Sequence, residues 1–186
     1  MEEDLLLVHR VLRGEQFAFR AIVEKYQNYV FTIAMRVLNA REEAEEVAQD
    51  VFLKVHKMLG SYRQESKFSS WLYAIAYRTA IDNARKKKLP LQSIEAGGAA
   101  FQTPDLLSKT PVELTQDNDL RQHVQAVINR LKPSDASIIT LYYLNEQSVQ
   151  EIADITGLSV TNVKTKLHRL REHLRQELTA SALDQH

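Results

Sequence analysis

Residues 148–175 read SVQEIADITGLSVTNVKTKLHRLREHLR, and this stretch decides the fold of the C-terminal part of the chain. Ser148 followed three residues later by Glu151 is a capping box. The hydroxyl takes one orphan amide of the first turn and the carboxylate reaches back for another. Gly157 closes this first helix by adopting a left-handed conformation at little strain. Ser159 then caps a second helix. Ile152, Ala153 and Ile155 before the bend, and Val160, Val163, Leu167 and Leu170 after it, recur at helical spacing. Ile152, Leu158 and Val163 are expected to lock the pair, with Ala153 small where the helices cross. Two helices joined by a short Gly-containing turn form a helix-turn-helix.

The outward face of the second helix is Thr161, Asn162, Lys164, Thr165, His168, Arg169 and Arg171. From 158 to 175, Lys164, Lys166, Arg169, Arg171 and Arg175 face only Glu172. Hydroxyls and a helix N-terminus can hold phosphate, and Arg or Lys can read guanine edges. An ordinary capped hairpin with a solvated basic face shares part of this pattern. The caps, the small residue, the glycine and the basic second helix together favour duplex DNA.

Outward from this motif the texture is helical and then changes. Residues 89–113 hold three of the four prolines, Pro90, Pro104 and Pro111, and the pair Gly97-Gly98. That length without a period reads as a flexible linker. It divides the chain into a domain over 1–88 and a second over 114–186. The fold class expected is all-α: two small helical domains joined by that linker, the C-terminal one a helix-turn-helix. In the first domain, helices are expected over about 4–13, 16–39, 42–58 and 68–87. In the second, Leu120–Leu131 is apolar-periodic, and Pro133 suits the start of the next helix.

The 186 residues have a formal net charge of zero, and the charge is segregated. Glu42, Glu43, Glu45, Glu46 and Asp50 make residues 42–50 an acidic stripe, while 85–88 are Arg-Lys-Lys-Lys. Stripes of opposite sign point to different partners on different faces. Zero net charge also implies weak affinity for free DNA, because counterion release needs many phosphate contacts. The chain has no cysteine, which excludes disulfides and thiolate metal sites. The six histidines are scattered, and no metal site, cofactor or nucleophile motif is expected, so the chain does not read as an enzyme. The acidic start MEEDLLLVHR does not read as a secretory signal, and no apolar run approaches the ~20 residues of a membrane span. A cytoplasmic protein without membrane insertion is expected.

The N-terminal domain carries two further features. Residues 41–54 form a helix with one buried and one acidic face. Residues 67–88 interleave Phe68, Trp71, Tyr73 and Tyr77 with polar groups and end in the basic run. Aromatic faces beside cations suit unstacked bases. Phe68, Trp71 and Leu72 are read as core, Tyr77, Arg78 and Asp82 less so. A duplex-binding repressor or activator with a sensing domain in the first 88 residues would share the helix-turn-helix, though the strand–helix alternation of a receiver is missing. An adaptor protein that does not read DNA would share the acidic helix.

Together, the block Glu46-x-x-Gln49-Asp50-x-Phe52-Leu53-Lys54, the following Phe68-x-x-Trp71-Leu72 and the helix-turn-helix resemble bacterial RNA polymerase sigma factors of the small extracytoplasmic-function (ECF) group of the sigma-70 family. The resemblance covers about residues 10–88 and 120–178. It implies a factor that directs core RNA polymerase to promoters through a region 2 and a region 4. By that resemblance Glu46, Gln49, Asp50 and Phe52 grip the clamp helices of the β′ subunit, and region 4 meets the β flap. Ser61–Ser66 and the helix from Phe68 take the opened −10 strand. Tyr77, Arg78 and Asp82 face its bases, and Arg85, Lys86, Lys87 and Lys88 hold phosphates. Thr161, Asn162, Lys164, Thr165, Lys166, His168, Arg169 and Arg171 lie on the −35 duplex. An anti-sigma factor is a further expected partner. Ala74 and Ile75 stand where housekeeping factors place a tryptophan pair for melting, which implies a stricter promoter requirement.

Overall fold

The computed structural model describes residues 2–88 and 124–183. Among them there is no strand. The helices are α1 (Glu2–Leu12), α2 (Gln16–Leu38), α3 (Arg41–Met58), α4 (Phe68–Lys88), α5 (124–130), α6 (Pro133–Tyr143), α7 (Val149–Thr156) and α8 (Val160–Leu183), with a short 3-10 turn at Leu59–Ser61. The expected linker over 89–113 lies outside the described residues.

The first four helices pack around α2, whose Ile22, Tyr26, Val30, Ile33, Ala34 and Val37 are buried at three- and four-residue spacing. Helix α2 ends at Asn39, which takes a left-handed conformation (φ 53°) and donates its amide to the Met35 carbonyl. The amide side chain makes Asn one of the few residues that tolerate this region. Helix α3 packs on α2 and buries Ala44, Val47, Val51, Phe52 and Val55. Helix α4 closes the group with Phe68, Leu72, Tyr73, Ala76 and Ala80. Lys25 ties α1 to α2 through Glu3 and Asp4, each at 2.8 Å, and both bonds raise its pKa.

The C-terminal helices follow the punctuation in the sequence. Pro133 occupies the first turn of α6. Ser148 accepts from the Glu151 amide at 3.2 Å, and a Glu151 oxygen accepts from the Ser148 amide at 2.8 Å. Gly157 caps α7 with φ 75°. Ser159 accepts from the Asn162 amide at 3.2 Å and so caps α8. Ile152, Ile155, Val163 and Leu167 are buried between α6, α7 and α8, while Leu158 is half-buried at the bend.

The two groups of helices also pack on each other, α2 against α6 and α4 against α7, so that one continuous apolar cluster runs through both. This direct packing was not expected from the sequence.

A Cβ added at Gly157 would meet no atom within 4 Å, so only backbone strain opposes a side chain there. Gly157→Ala is expected to destabilise the C-terminal helices by about 1 kcal/mol. Chemical denaturation should show that loss without a change in slope.

Candidate nucleic-acid and polymerase interface

Three surfaces carry the sequence-predicted site residues. The first is the acidic face of α3. Glu42, Glu45, Glu46, Gln49 and Asp50 are exposed along it. Phe52 is not on this face: its side chain is 9% exposed and packs in the core of the N-terminal helices. The apolar residue that the face does present is its neighbour Leu53, 61% exposed. Leu53 stands four and three residues beyond Gln49 and Asp50, so the three share one side of the helix. Arg41 pairs with Glu45 at 2.8 Å on the same surface, leaving Glu46 and Asp50 among its open carboxylates.

The second surface belongs to α4 and the turn before it. Arg78, Asp82, Arg85, Lys86 and Lys87 are exposed at spacings that place Arg78, Asp82 and Arg85 along one side. Lys87 reaches back to Glu43 of α3 at 2.5 Å, whereas Arg85 and Lys86 project from the helix end. Tyr77 is half-buried beneath this surface, and burial raises its hydroxyl pKa. Beside it, Tyr62, Phe68 and Trp71 stack with ring centroids 5.3–5.8 Å apart. The Tyr62 hydroxyl donates to the Ser66 carbonyl at 2.6 Å and closes the loop over residues 62–66. Gln64 turns this loop with φ 60°. Ser61, Tyr62, Arg63, Glu65, Ser66 and Trp71 thereby line a recess of about 200 Å³. Trp71, read as core from the sequence, forms part of its wall. The FxxW spacing carried this signal, since one helical turn puts both rings on the loop side.

The third surface is α8. Thr161, Asn162, Lys164, Thr165, His168 and Arg169 are all exposed on its outer face. Lys166, half-buried, and Arg171, exposed, are both engaged with α6. Lys166 pairs with Asp135 of α6 at 2.5 Å. Arg171 donates to the Tyr143 hydroxyl at 2.8 Å and lies 4.9 Å from the centre of the Tyr142 ring. The bond to Tyr143 raises the Arg171 pKa. Lys166 thus braces the first turn of α6 against α8, and Arg171 its last turn. No group of three or more acidic, His or Cys side chains among the described residues could hold a metal, and no described helix is long and apolar enough to cross a membrane.

These surfaces fall within known families. The Sigma-70 region 2 family matches residues 22–89, and the Sigma-70 region 4 family matches residues 121–174. The chain is 33% identical to the ECF RNA polymerase sigma factor SigW of Bacillus subtilis over 92% of its own length and 94% of the relative's. It is 32% identical to the RNA polymerase sigma-H factor of Pseudomonas aeruginosa, covering 95% of this chain and 94% of that one. Identity to the ECF sigma-E factor of Escherichia coli K12 is 33%, with 91% of each chain covered. In fold, it is similar to CnrH in complex with the cytosolic domain of CnrY, with a TM-score of 0.65 at 21% identity over 96% and 98% of the two chains. It is also similar to the sigma factor RpoE in complex with the anti-sigma factor NepR from Bartonella quintana, with a TM-score of 0.64 at 19% identity over 87% and 96%. The chain belongs to the ECF group of the sigma-70 family. It is a transcription initiation factor that acts with RNA polymerase at specific promoters and is not itself an enzyme.

Glu151 binds the helix-turn-helix to α4. Its Oε1 lies 3.1 Å from Lys67 Nζ and 3.0 Å from the Ser70 hydroxyl, while its other oxygen holds the Ser148 amide. Burial pushes its pKa up, but the bonds from Ser148, Lys67 and Ser70 outweigh that and hold it below the ordinary 4.5. A depressed carboxylate contributes stability that is complete above the unfolded value and is lost as pH falls through the folded one. Acidification from pH 5 towards 3 should therefore destabilise the wild-type chain more than Glu151→Gln, as followed by thermal melting. Equal losses would remove Glu151 from the acid response.

Proposed function

We propose that the three surfaces divide promoter recognition between them. Residues 1–88 act as the region 2 domain and 114–186 as the region 4 domain, joined by 89–113. The acidic face of α3 docks on the β′ clamp helices through Glu46, Gln49 and Asp50. Leu53 rather than Phe52 supplies the apolar contact at its centre, because a docking surface needs desolvated apolar area that a core residue cannot offer. Thr161, Asn162, Lys164, Thr165, His168 and Arg169 meet the −35 duplex in the major groove, with the α8 N-terminus towards phosphate. Lys166 and Arg171 hold that helix in position from behind, and region 4 meets the β flap.

The −10 element is taken as a single strand along α4. Tyr77, Arg78 and Asp82 face its bases, and Arg85, Lys86 and Lys87 its phosphates. The recess between Tyr62, Ser66 and Trp71 receives one extruded base. Its aromatic wall offsets the few kcal/mol, approximately, of unstacking. The protein works in the cytoplasm, where core polymerase is, and an anti-sigma factor is its expected regulator. The observation that carries this reading is the exposed set Thr161, Asn162, Lys164, Thr165, His168 and Arg169 on a helix capped by Ser159, in a chain that also exposes an acidic helix and an aromatic recess.

Charge reversal at Glu46 and Asp50 is expected to abolish binding to core polymerase with the helical fold intact. Retained capture of β′ by the variant would overturn the α3 assignment. Leu53→Ala should weaken core binding with little change in melting temperature. Phe52→Ala should instead lower stability by about 3–5 kcal/mol. Arg169→Ala should lose about 1–3 kcal/mol of −35 discrimination, read in run-off transcription on promoters that differ at single −35 positions. An unchanged preference would place Arg169 on phosphate alone.

A further inference from the structure

Among the described residues, one buried cation has no charge to balance it. Arg36 stands in the last turn of α2 and is 8% exposed. Its two terminal nitrogens donate to the side-chain oxygens of Asn129 and Gln125 on α5. Both acceptors are neutral amides. These bonds use two of the five N–H donors of a guanidinium, and the buried Nε has no partner. The carbonyl end of α2 favours a cation, but a helix terminus supplies only about half a charge. Asp135, in the first turn of α6, is engaged by Lys166 at 2.5 Å. Burial pulls the Arg36 pKa down to about 10, with no carboxylate acting against it.

A cavity of about 100 Å³ lies beside this group, walled by Met35, Asn39, Ile128, Leu131, Pro133 and Ala136. Asn39 and Pro133 are exposed, so the cavity opens to solvent between the end of α2 and the start of α6. No side chain caps that start, and the amides of Asp135 and Ala136 share the Lys132 carbonyl. The positive end of an 11-residue helix thus borders the same cavity as the guanidinium.

We propose that this cavity binds a short aliphatic carboxylate, its charged end at Arg36 and the α6 N-terminus and its alkyl end against Met35, Ile128 and Leu131. A guanidinium matches the two oxygens of a carboxylate, and ion pairing strengthens where water is excluded. An apolar cavity of about 150 Å³ holds benzene, so this smaller one suits a chain of about two to four carbons. Inorganic phosphate carries the charge but has no apolar end to set against the wall. Burying an unpaired guanidinium is costly, and an arriving anion removes that cost. The ligand therefore stabilises the folded chain by linkage. The site lies apart from the three surfaces described above and does not rest on their assignments.

Thermal melting and arginine side-chain 15N NMR of the full chain in sodium propanoate, against sodium chloride at equal ionic strength, test this. Propanoate should raise Tm saturably, by about 3–6 °C at ten times its dissociation constant. The Arg36 Nε–H resonance should shift over the same concentration range. Arg36→Met removes the charge and keeps an unbranched side chain. It should melt at or above the wild-type temperature and not respond to propanoate. Asn129→Asp places a carboxylate on the guanidinium from within the chain. It should melt higher than wild type in chloride alone and bind propanoate about tenfold more weakly. A propanoate response no larger than that of chloride overturns the site, as does an Arg36→Met variant that responds like wild type. Should Arg36→Met not fold, wild-type propanoate affinity in Asn129→Asp overturns it equally. An equal response to inorganic phosphate overturns the carboxylate as the ligand class.

Discussion

The Glu151 carboxylate serves two levels of structure at once. One oxygen completes the capping box of α7 by taking the Ser148 amide, and the other meets Lys67 and Ser70 on α4. The first bond is local and fixes where the helix-turn-helix begins. The second is long-range and fixes where that motif sits on the N-terminal helices. Because the same side chain makes both, the geometry of the cap determines the geometry of the seam. The group is half-buried, so it stays ionised while its bonds still matter.

The helix-turn-helix was legible in the sequence because its determinants are local. Two serine caps, a glycine with positive φ and an apolar period of three to four residues act within a few positions of one another. The acidic helix was legible for the same reason, but its apolar residue was assigned by motif rather than by period. Ala44, Val47, Ala48, Val51 and Val55 form a stripe in which Phe52 follows Ala48 by four residues, so the helical period alone places Phe52 inside and Leu53 outside. The recess beside Trp71 depends on the Tyr62–Ser66 bond and on a left-handed Gln64, neither of which a residue pattern announces.

The packing of the two halves was not legible at all, and the reason is chemical. The apolar residues that join the two groups read equally well as core of each domain alone, and the polar residues between them, Ser70, Gln147, Lys67, Gln125 and Asn129, look like ordinary surface residues. Arg36 sits within the run Ile33-Ala-Met-Arg-Val-Leu38, where a helical period leaves one polar position per turn for solvent. Only the fold reveals that this position faces α5.

Packing leaves the candidate surfaces unequally exposed. The outer face of α8 stays open to solvent, with Lys164, His168 and Arg169 exposed, while α4 has α7 against it. Two cations near the reading surfaces are already spoken for, Lys166 by Asp135 and Lys87 by Glu43, which lowers the positive charge that duplex DNA would meet. A chain with zero net charge gains little from counterion release, so the open α8 face alone holds duplex weakly. Polymerase removes this limit by a route that does not depend on DNA charge. In the proposed arrangement the acidic α3 face anchors the N-terminal helices on polymerase, and tethering turns each promoter grip into an intramolecular event at high effective concentration. Weak grips, individually unable to hold the chain on random sequence, then act together only where both elements stand at the right separation.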